Sequence, residues 1–230
     1  MAGVIVAVVV VALVVAAVVA ASVKARRAAQ EWRELAEELG LRWEAGEGSL
    51  FPSPGRVTGT YRGYEVELDY GEGLVAQRLR GQAMSRGQVR GSDGEQLKRA
   101  CVTTWIEPEL PAGLMLMRDM GDLPSMMLGL GSQDIQMGDK AFDDLFRVRG
   151  HDEDEVRRLL SPAAREALLR LATGWPGFWI TTRSVLVLSE RVPGREVIKE
   201  LLDAQHEAVD ALCKRHAEML LEDSRERTPG

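Results

Sequence analysis

The sequence predicts an α+β fold: antiparallel hairpin strands packed with a helical pair and a long carboxyl-terminal helix, preceded by one amino-terminal transmembrane helix. Three observations predict this class. A charge-free apolar run fills residues 2 to 21, stretches of alternating apolar and polar residues come in pairs, and helical periodicity is concentrated after residue 152. Because paired strands precede grouped helices, the order is typical of α+β folds and not of doubly wound ones.

The first element is the apolar run "AGVIVAVVVVALVVAAVVAA". About 20 helical residues at roughly 1.5 Å each match a hydrocarbon core of about 30 Å. We therefore predict a transmembrane helix at residues 1 to 23, with the bilayer as its partner through residues 2 to 22. The alternative is a cleaved secretory signal ending near Ala20 to Ser22. Against it stand the length of the run and the lack of a basic segment before it.

Basic residues follow this run and none precedes it. They are Lys24, Arg26, Arg27 and Arg33. The positive-inside rule then places the carboxyl-terminal domain in the cytoplasm, with display in the periplasm as the alternative. Arginine greatly outnumbers lysine, and alanine, glycine and valine are frequent, so a bacterial source is indicated. The predicted location is a bacterial inner membrane, crossed once.

A linking helix is predicted at residues 24 to 40. Its apolar residues recur at three- and four-residue spacing on one face, and Gly40 is placed to cap it. These residues are Ala25, Ala28, Trp32, Leu35 and Leu39. The stripe either docks on the following domain or pairs with a second copy in a short coiled coil. Two heptads are too few to indicate a coiled coil, so docking is favoured and self-association would be weak.

The α+β domain is predicted over residues 41 to 222. Residues 57 to 70 form a hairpin around Arg62 and Gly63, and residues 101 to 110 and 112 to 117 form a second strand pair. A short strand at 146 to 150 and a hairpin at 178 to 190, turning near Thr182 to Ser184, complete the strands. Two helices are expected within 152 to 173 and a long one over 195 to 222. Residues 80 to 97 and 121 to 139 are predicted loops, and 223 to 230 a flexible tail.

Four consecutive acids in "HDEDE" start the first of these helices. Asp152 with Glu155 three residues on is a capping box, and acids in the first turn suit the helix dipole. Acids at successive helical positions point around the axis, so they do not converge on a metal. Likewise, Ser161 is expected to cap the next helix, with Pro162 in its first position.

The run "GDKAFDDLFRVRGHDEDEVRRLLSPAAREALLRL" resembles uncharacterised bacterial membrane-anchored proteins described as domains of unknown function. The resemblance covers roughly residues 35 to 215. It rests on Phe142, Phe146 and Val148, then on Leu159 and Leu160 before Pro162. It implies a similar architecture with a membrane anchor, and it carries over no catalytic residue.

Composition excludes several functions. The formal net charge of -6 lacks the basic surface that a general nucleic-acid binder needs. Cys101 and Cys213 are far apart and are expected to be free thiols. The sequence has no phosphate loop, dinucleotide fingerprint, nucleophile elbow or HExxH motif. No cofactor is expected.

One set of polar residues on the long helix offers an alternative. His206, Asp210 and Cys213 fall on one side of a helical wheel, and His216 lies one turn further. They would serve an enzyme or a metal-binding domain. Ile198, Leu202, Val209 and Leu220 share the face of Cys213 and His216, so a core stripe is the simpler interpretation. We expect a non-catalytic membrane-anchored domain that binds a protein partner or the membrane surface.

Overall fold

The structure is a computed structural model that describes residues 2–45, 55–71, 99–118, 134–175, 177–189 and 193–226. The predicted loop at 80 to 97, most of the loop at 121 to 139, and the last four residues of the predicted tail lie outside these ranges.

One helix, α1, runs from Ala2 to Leu39 and includes both the predicted membrane segment and the predicted linking helix. It ends at Gly40, whose φ of 68° is the left-handed conformation that glycine adopts readily. The amide of Leu41 then donates to the carbonyl of Ala36 over 2.7 Å, which closes the last turn. Trp32 and Leu35 are fully buried against the domain, so the docking prediction is confirmed.

Within the described ranges, no helix combines the length and the apolar character that crossing a membrane requires. The transmembrane helix predicted at residues 1 to 23 is therefore not supported by this structure. In that segment, the side chains of residues 2–8, Val14, Ala17 and Ala21 lie outside the described part.

The described strands form one eight-stranded sheet in the order β1-β2-β3-β4-β8-β7-β5-β6, and every neighbouring pair is antiparallel. This confirms the predicted α+β class. The strands are β1 (Arg42–Glu44), β2 (Arg56–Tyr61), β3 (Tyr64–Gly71), β4 (Arg99–Trp105), β5 (Met115–Arg118), β6 (Phe146–Arg149), β7 (Phe178–Thr181) and β8 (Ser184–Ser189).

Two predicted hairpins are confirmed. β2 and β3 pair around Arg62 and Gly63, whose positive φ angles of 49° and 92° suit the twist of a two-residue hairpin turn. β7 and β8 pair around Thr182 and Arg183. The predicted short strand at 146 to 150 is also present, as β6.

The predicted pairing of residues 101 to 110 with 112 to 117 is wrong. β4 pairs with β3 and β8, whereas β5 pairs with β6 and β7. The chain between them passes the tip of the β7–β8 hairpin instead of turning back on itself. The amide of Ile106 donates to the Arg183 carbonyl and that of Leu110 to the Thr182 carbonyl, each over 2.8 Å. The hairpin thus separates the two strands.

The remaining described helices are α2 (Lys140–Asp143), α3 (Glu153–Leu159), α4 (Pro162–Gly174) and α5 (Arg195–Glu226). The helical pair and the long final helix are as predicted, although α5 continues through four residues of the predicted tail. Both predicted caps are confirmed. The Asp152 carboxylate accepts from the Glu155 amide over 3.0 Å, and the Ser161 hydroxyl accepts from the Ala164 amide over 3.4 Å.

The cap at Asp152 gives the first prediction. Asp152→Ala should lower the free energy of unfolding by about 0.5–2 kcal/mol, because the Glu155 amide loses its acceptor. Asp152→Asn and Asp152→Ser should cost little, since either side chain accepts the same bond. Urea unfolding of the full chain in mild detergent measures all three. Equal losses in the three variants would contradict a capping role.

Candidate functional site

The amino-terminal half of α1 exposes large apolar side chains on every side. Those described are between 44% and 65% exposed, and they are Val9, Val10, Val11, Leu13, Val15, Val18, Val19 and Val23. Successive helical positions differ by about 100°, so these residues surround the axis. A helix that is apolar all round normally lies in a protein core or in lipid. Here, these side chains do not pack into the domain.

The other half of the same helix is fastened to the domain. Trp32 is 1% exposed, and its indole Nε1 donates to the Pro193 carbonyl over 3.4 Å. Glu38 pairs with Lys199 and Arg195 at the start of α5. The hydrogen bond from Lys199 lowers the pKa of the Glu38 carboxyl. One continuous helix therefore connects the exposed apolar segment to the folded domain.

A shallow groove of about 460 Å³ lies between α1 and β1. Its lining residues are Ala29, Gln30, Arg33, Glu34, Glu37 and Trp43. Arg33 pairs with Glu37 over 3.0 Å, and the Gln30 amide donates to Glu34 over 3.0 Å. These polar groups are therefore paired with one another on an exposed face of the helix.

Of the residues predicted as a possible enzyme or metal site, His206, Cys213 and His216 take part in packing on α5, whereas Asp210 is exposed. His206 meets the edge of the Tyr64 ring, with centroids 5.5 Å apart. The Cys213 thiol lies beside the Tyr64 hydroxyl, and burial is the largest cause that raises the pKa of Tyr64 to about 12. His216 is 6% exposed and belongs to the buried face of the helix.

The four residues do not converge on a metal. Across the described ranges, no group of three or more His, Cys, Asp or Glu side chains is placed to hold a metal ion. The predicted stripe is also wrong at one position, because Leu220 is 51% exposed and Met219 is buried instead. Met219 lies seven residues after the buried Leu212 and therefore within about 20° of it around the helix, whereas Leu220 lies about 80° away from Leu212.

Two contacts that sequence reasoning missed hold α5 against the sheet. The Gln205 side chain is fully buried; its amide donates to the Val102 carbonyl and it accepts from the Thr104 hydroxyl, each over 3.1 Å. At the tip of the β2–β3 hairpin, the Tyr61 hydroxyl donates to Asp203 over 2.7 Å. Gln205 was detectable, because it lies one turn before Val209 on an otherwise apolar face.

Both thiols are poor nucleophiles. Burial raises the pKa of Cys101 to about 11, and it also raises the pKa of Cys213. The thiolate is the reactive form of cysteine. At neutral pH both groups are therefore protonated, and neither environment resembles that of a catalytic cysteine.

This gives the second prediction. In the folded chain, alkylation of Cys101 at pH 8 should be slower by about 100-fold than in urea, because its thiolate fraction is only on the order of 10⁻³. The pKa is raised on folding, so the associated stability is fully present below the ordinary thiol pKa near 9 and is lost as pH rises towards about 11. Mass spectrometry after timed iodoacetamide treatment measures the rate. Fast labelling of Cys213 in folded protein at pH 7 would favour the enzyme alternative.

Comparison with known proteins adds little. No family model matches the chain, and no curated protein matches it. Among solved structures, the crystal structure of the mycobacterial trehalose monomycolate transport factor A, TtfA, is similar with a TM-score of 0.48 and 14% identity. The match covers 81% of this chain and 95% of that chain. At this level of similarity it assigns no function.

Proposed function

We propose that this chain is a membrane-attached binding protein of the bacterial inner membrane, without catalytic activity. In this proposal the amino-terminal half of α1 lies in the bilayer. The α+β domain stands on the cytoplasmic side, where it binds a protein partner or the membrane surface. The observation that carries the proposal is the change of character along α1, from apolar residues exposed on every side to residues that are fully buried in the domain.

Lipid accounts for the exposed half better than a protein groove. A partner groove would cover one face of the helix and leave the rest in water. Full burial of a Val or Leu side chain is worth about 1.5–3 kcal/mol, and only a surrounding apolar medium gives that gain on every face. Helical geometry also provides every backbone carbonyl of residues 2 to 23 with an amide donor four residues on, as a bilayer requires.

The non-catalytic part of the proposal rests on how the candidate polar groups are used. His206 and Cys213 contact Tyr64, His216 is buried, and both thiols have raised pKa values. His206 and Cys213 take part in the contact between α5 and β3 through Tyr64. An enzyme would instead need titratable groups that converge on an accessible space.

The third prediction tests location and orientation with the full chain in a bacterial host. The protein should stay in the membrane pellet after an alkaline carbonate wash and dissolve in mild detergent. A fluorescent reporter that folds only in the cytoplasm should be active when fused after Gly230, while a periplasm-dependent phosphatase fused there should be inactive. Release by carbonate would contradict membrane attachment. An active phosphatase would reverse the orientation, and a mature chain starting near Ser22 would indicate a cleaved signal.

A further inference from the structure

The turn of α1 that follows its exposed apolar half carries bases and no acids. Val23 is the last exposed large apolar residue among the described side chains of α1, and Arg26 and Arg27 follow it with exposed side chains. The first acidic residue of the whole chain is Glu31. Positive charge therefore comes first along the helix, and negative charge begins only one turn later.

Because of the helical rise, the basic and the acidic residues of α1 lie at different distances from Val23 along the helix axis. At about 1.5 Å per residue, Arg26 and Arg27 lie roughly 4.5–6 Å beyond Val23, and Glu31 lies roughly 12 Å beyond it. The polar layer on each side of a bilayer is about 5–8 Å thick. If Val23 marks the edge of the hydrocarbon, the two arginines lie among the headgroups and every acid of α1 lies beyond them.

Both arginines are available to a headgroup. No hydrogen bond or ion pair to Arg26 is found among the described residues. Arg27 pairs with Glu31 over 3.2 Å, but its side chain is 82% exposed. Exposed pairs of this kind contribute little, so exchange of Glu31 for a phosphate costs little. An arginine also presents several N–H donors to phosphate oxygens, and such charge-assisted bonds are the stronger ones.

We infer that Arg26 and Arg27, the arginine collar, bind the phosphates of anionic phospholipids where α1 leaves the bilayer. The inference rests on the proposed function, because it requires α1 to be in the membrane. Since α1 continues without a break to the buried Trp32, the collar also holds the domain at a fixed height above the lipid.

The test uses the full chain reconstituted in phosphatidylcholine vesicles with a trace of spin-labelled phosphatidylglycerol or spin-labelled phosphatidylcholine. Electron spin resonance separates lipid restricted by the protein from bulk lipid and gives a relative association constant. Phosphatidylglycerol should be preferred about fivefold or more at low salt, and less at high salt. In Arg26→Gln/Arg27→Gln, the preference for phosphatidylglycerol should fall at least by half. It should not vanish, because Lys24 still places one positive charge before Glu31.

Arg33→Gln is the matched control. Arg33 lies roughly 15 Å beyond Val23 and is paired with Glu37, so its loss should leave the preference unchanged. Equal association of the two lipids with the unmodified chain, or an equal loss of preference in the Arg33 variant, overturns the collar. Absence of restricted lipid of either kind overturns membrane attachment itself, and the collar with it.

Discussion

Trp32→Ala should lower the free energy of unfolding of the full chain by about 3–5 kcal/mol. Trp32 is 1% exposed, and it packs with Leu35 and Ala36 in the same cluster as the sheet residues Val57 and Val66. Its removal leaves a cavity where α1 joins the domain, and it also deprives the Pro193 carbonyl of its donor. For a chain of this size, the melting temperature should fall by about 6–20 °C.

Thermal unfolding followed by near-ultraviolet circular dichroism in mild detergent measures this effect, because it reports the tertiary packing of the domain. Trp32→Phe should cost much less, since it keeps an aromatic ring and loses the hydrogen bond, worth about 0.5–1.5 kcal/mol. Arg33 is the next residue along α1 and is exposed. The free energy of unfolding of Arg33→Ala should stay within about 0.5 kcal/mol of that of the unmodified chain. A Trp32→Ala variant as stable as Arg33→Ala would show that α1 is not fastened to the domain as described.

Features with local causes were predicted correctly from the sequence. Asp152 and Ser161 cap helices through side-chain bonds to amides three residues on, and Gly40 ends α1 because it adopts a positive φ. The turn at Arg62 and Gly63 likewise lies between two alternating strands. Each of these choices involves residues within a few positions, so the sequence alone carries the information.

Strand pairing across the sheet could not be predicted in the same way. The proline-containing segment after Trp105 suggested a turn between neighbouring strands, yet it joins two strands that lie on either side of the β7–β8 hairpin. Ile106 and Leu110 find their carbonyl partners about 75 residues later, at Arg183 and Thr182. Such partners are fixed by the packing of the whole sheet, which no local pattern encodes.

The candidate site residues on α5 also show the difference between local features, which the sequence predicts, and long-range contacts, which it does not. Helical periodicity predicted that Cys213 and His216 face the domain, but it does not identify what Cys213 contacts there. The contact is Tyr64, from a hairpin far away in sequence, and it makes His206 and Cys213 part of the packing. Periodicity also failed at the end of the stripe, where Met219 is buried and Leu220 is exposed.

Under the proposal that the apolar half of α1 lies in the bilayer, Val11→Arg/Leu13→Arg should remove the chain from the membrane. Both side chains are more than 60% exposed in the isolated chain and lie near the middle of the apolar half of α1. An arginine near the centre of a spanning helix costs about 2.5–3.5 kcal/mol, and the favourable contribution of each replaced residue is lost as well. Together the two changes cost roughly 6–8 kcal/mol of insertion free energy, which is enough to abolish a single span.

The control is Gln30→Arg/Glu34→Arg, which places two arginines on the exposed polar face of the same helix beyond the apolar half. The most direct test of membrane attachment is the fraction of each protein that stays with membranes after carbonate extraction, with the melting temperature of the domain measured alongside. We predict that the unmodified chain and the Gln30/Glu34 variant stay with the membranes, and that the Val11/Leu13 variant moves to the supernatant with its domain intact. Carbonate release of the unmodified chain, or full retention of the Val11/Leu13 variant, would contradict attachment through α1.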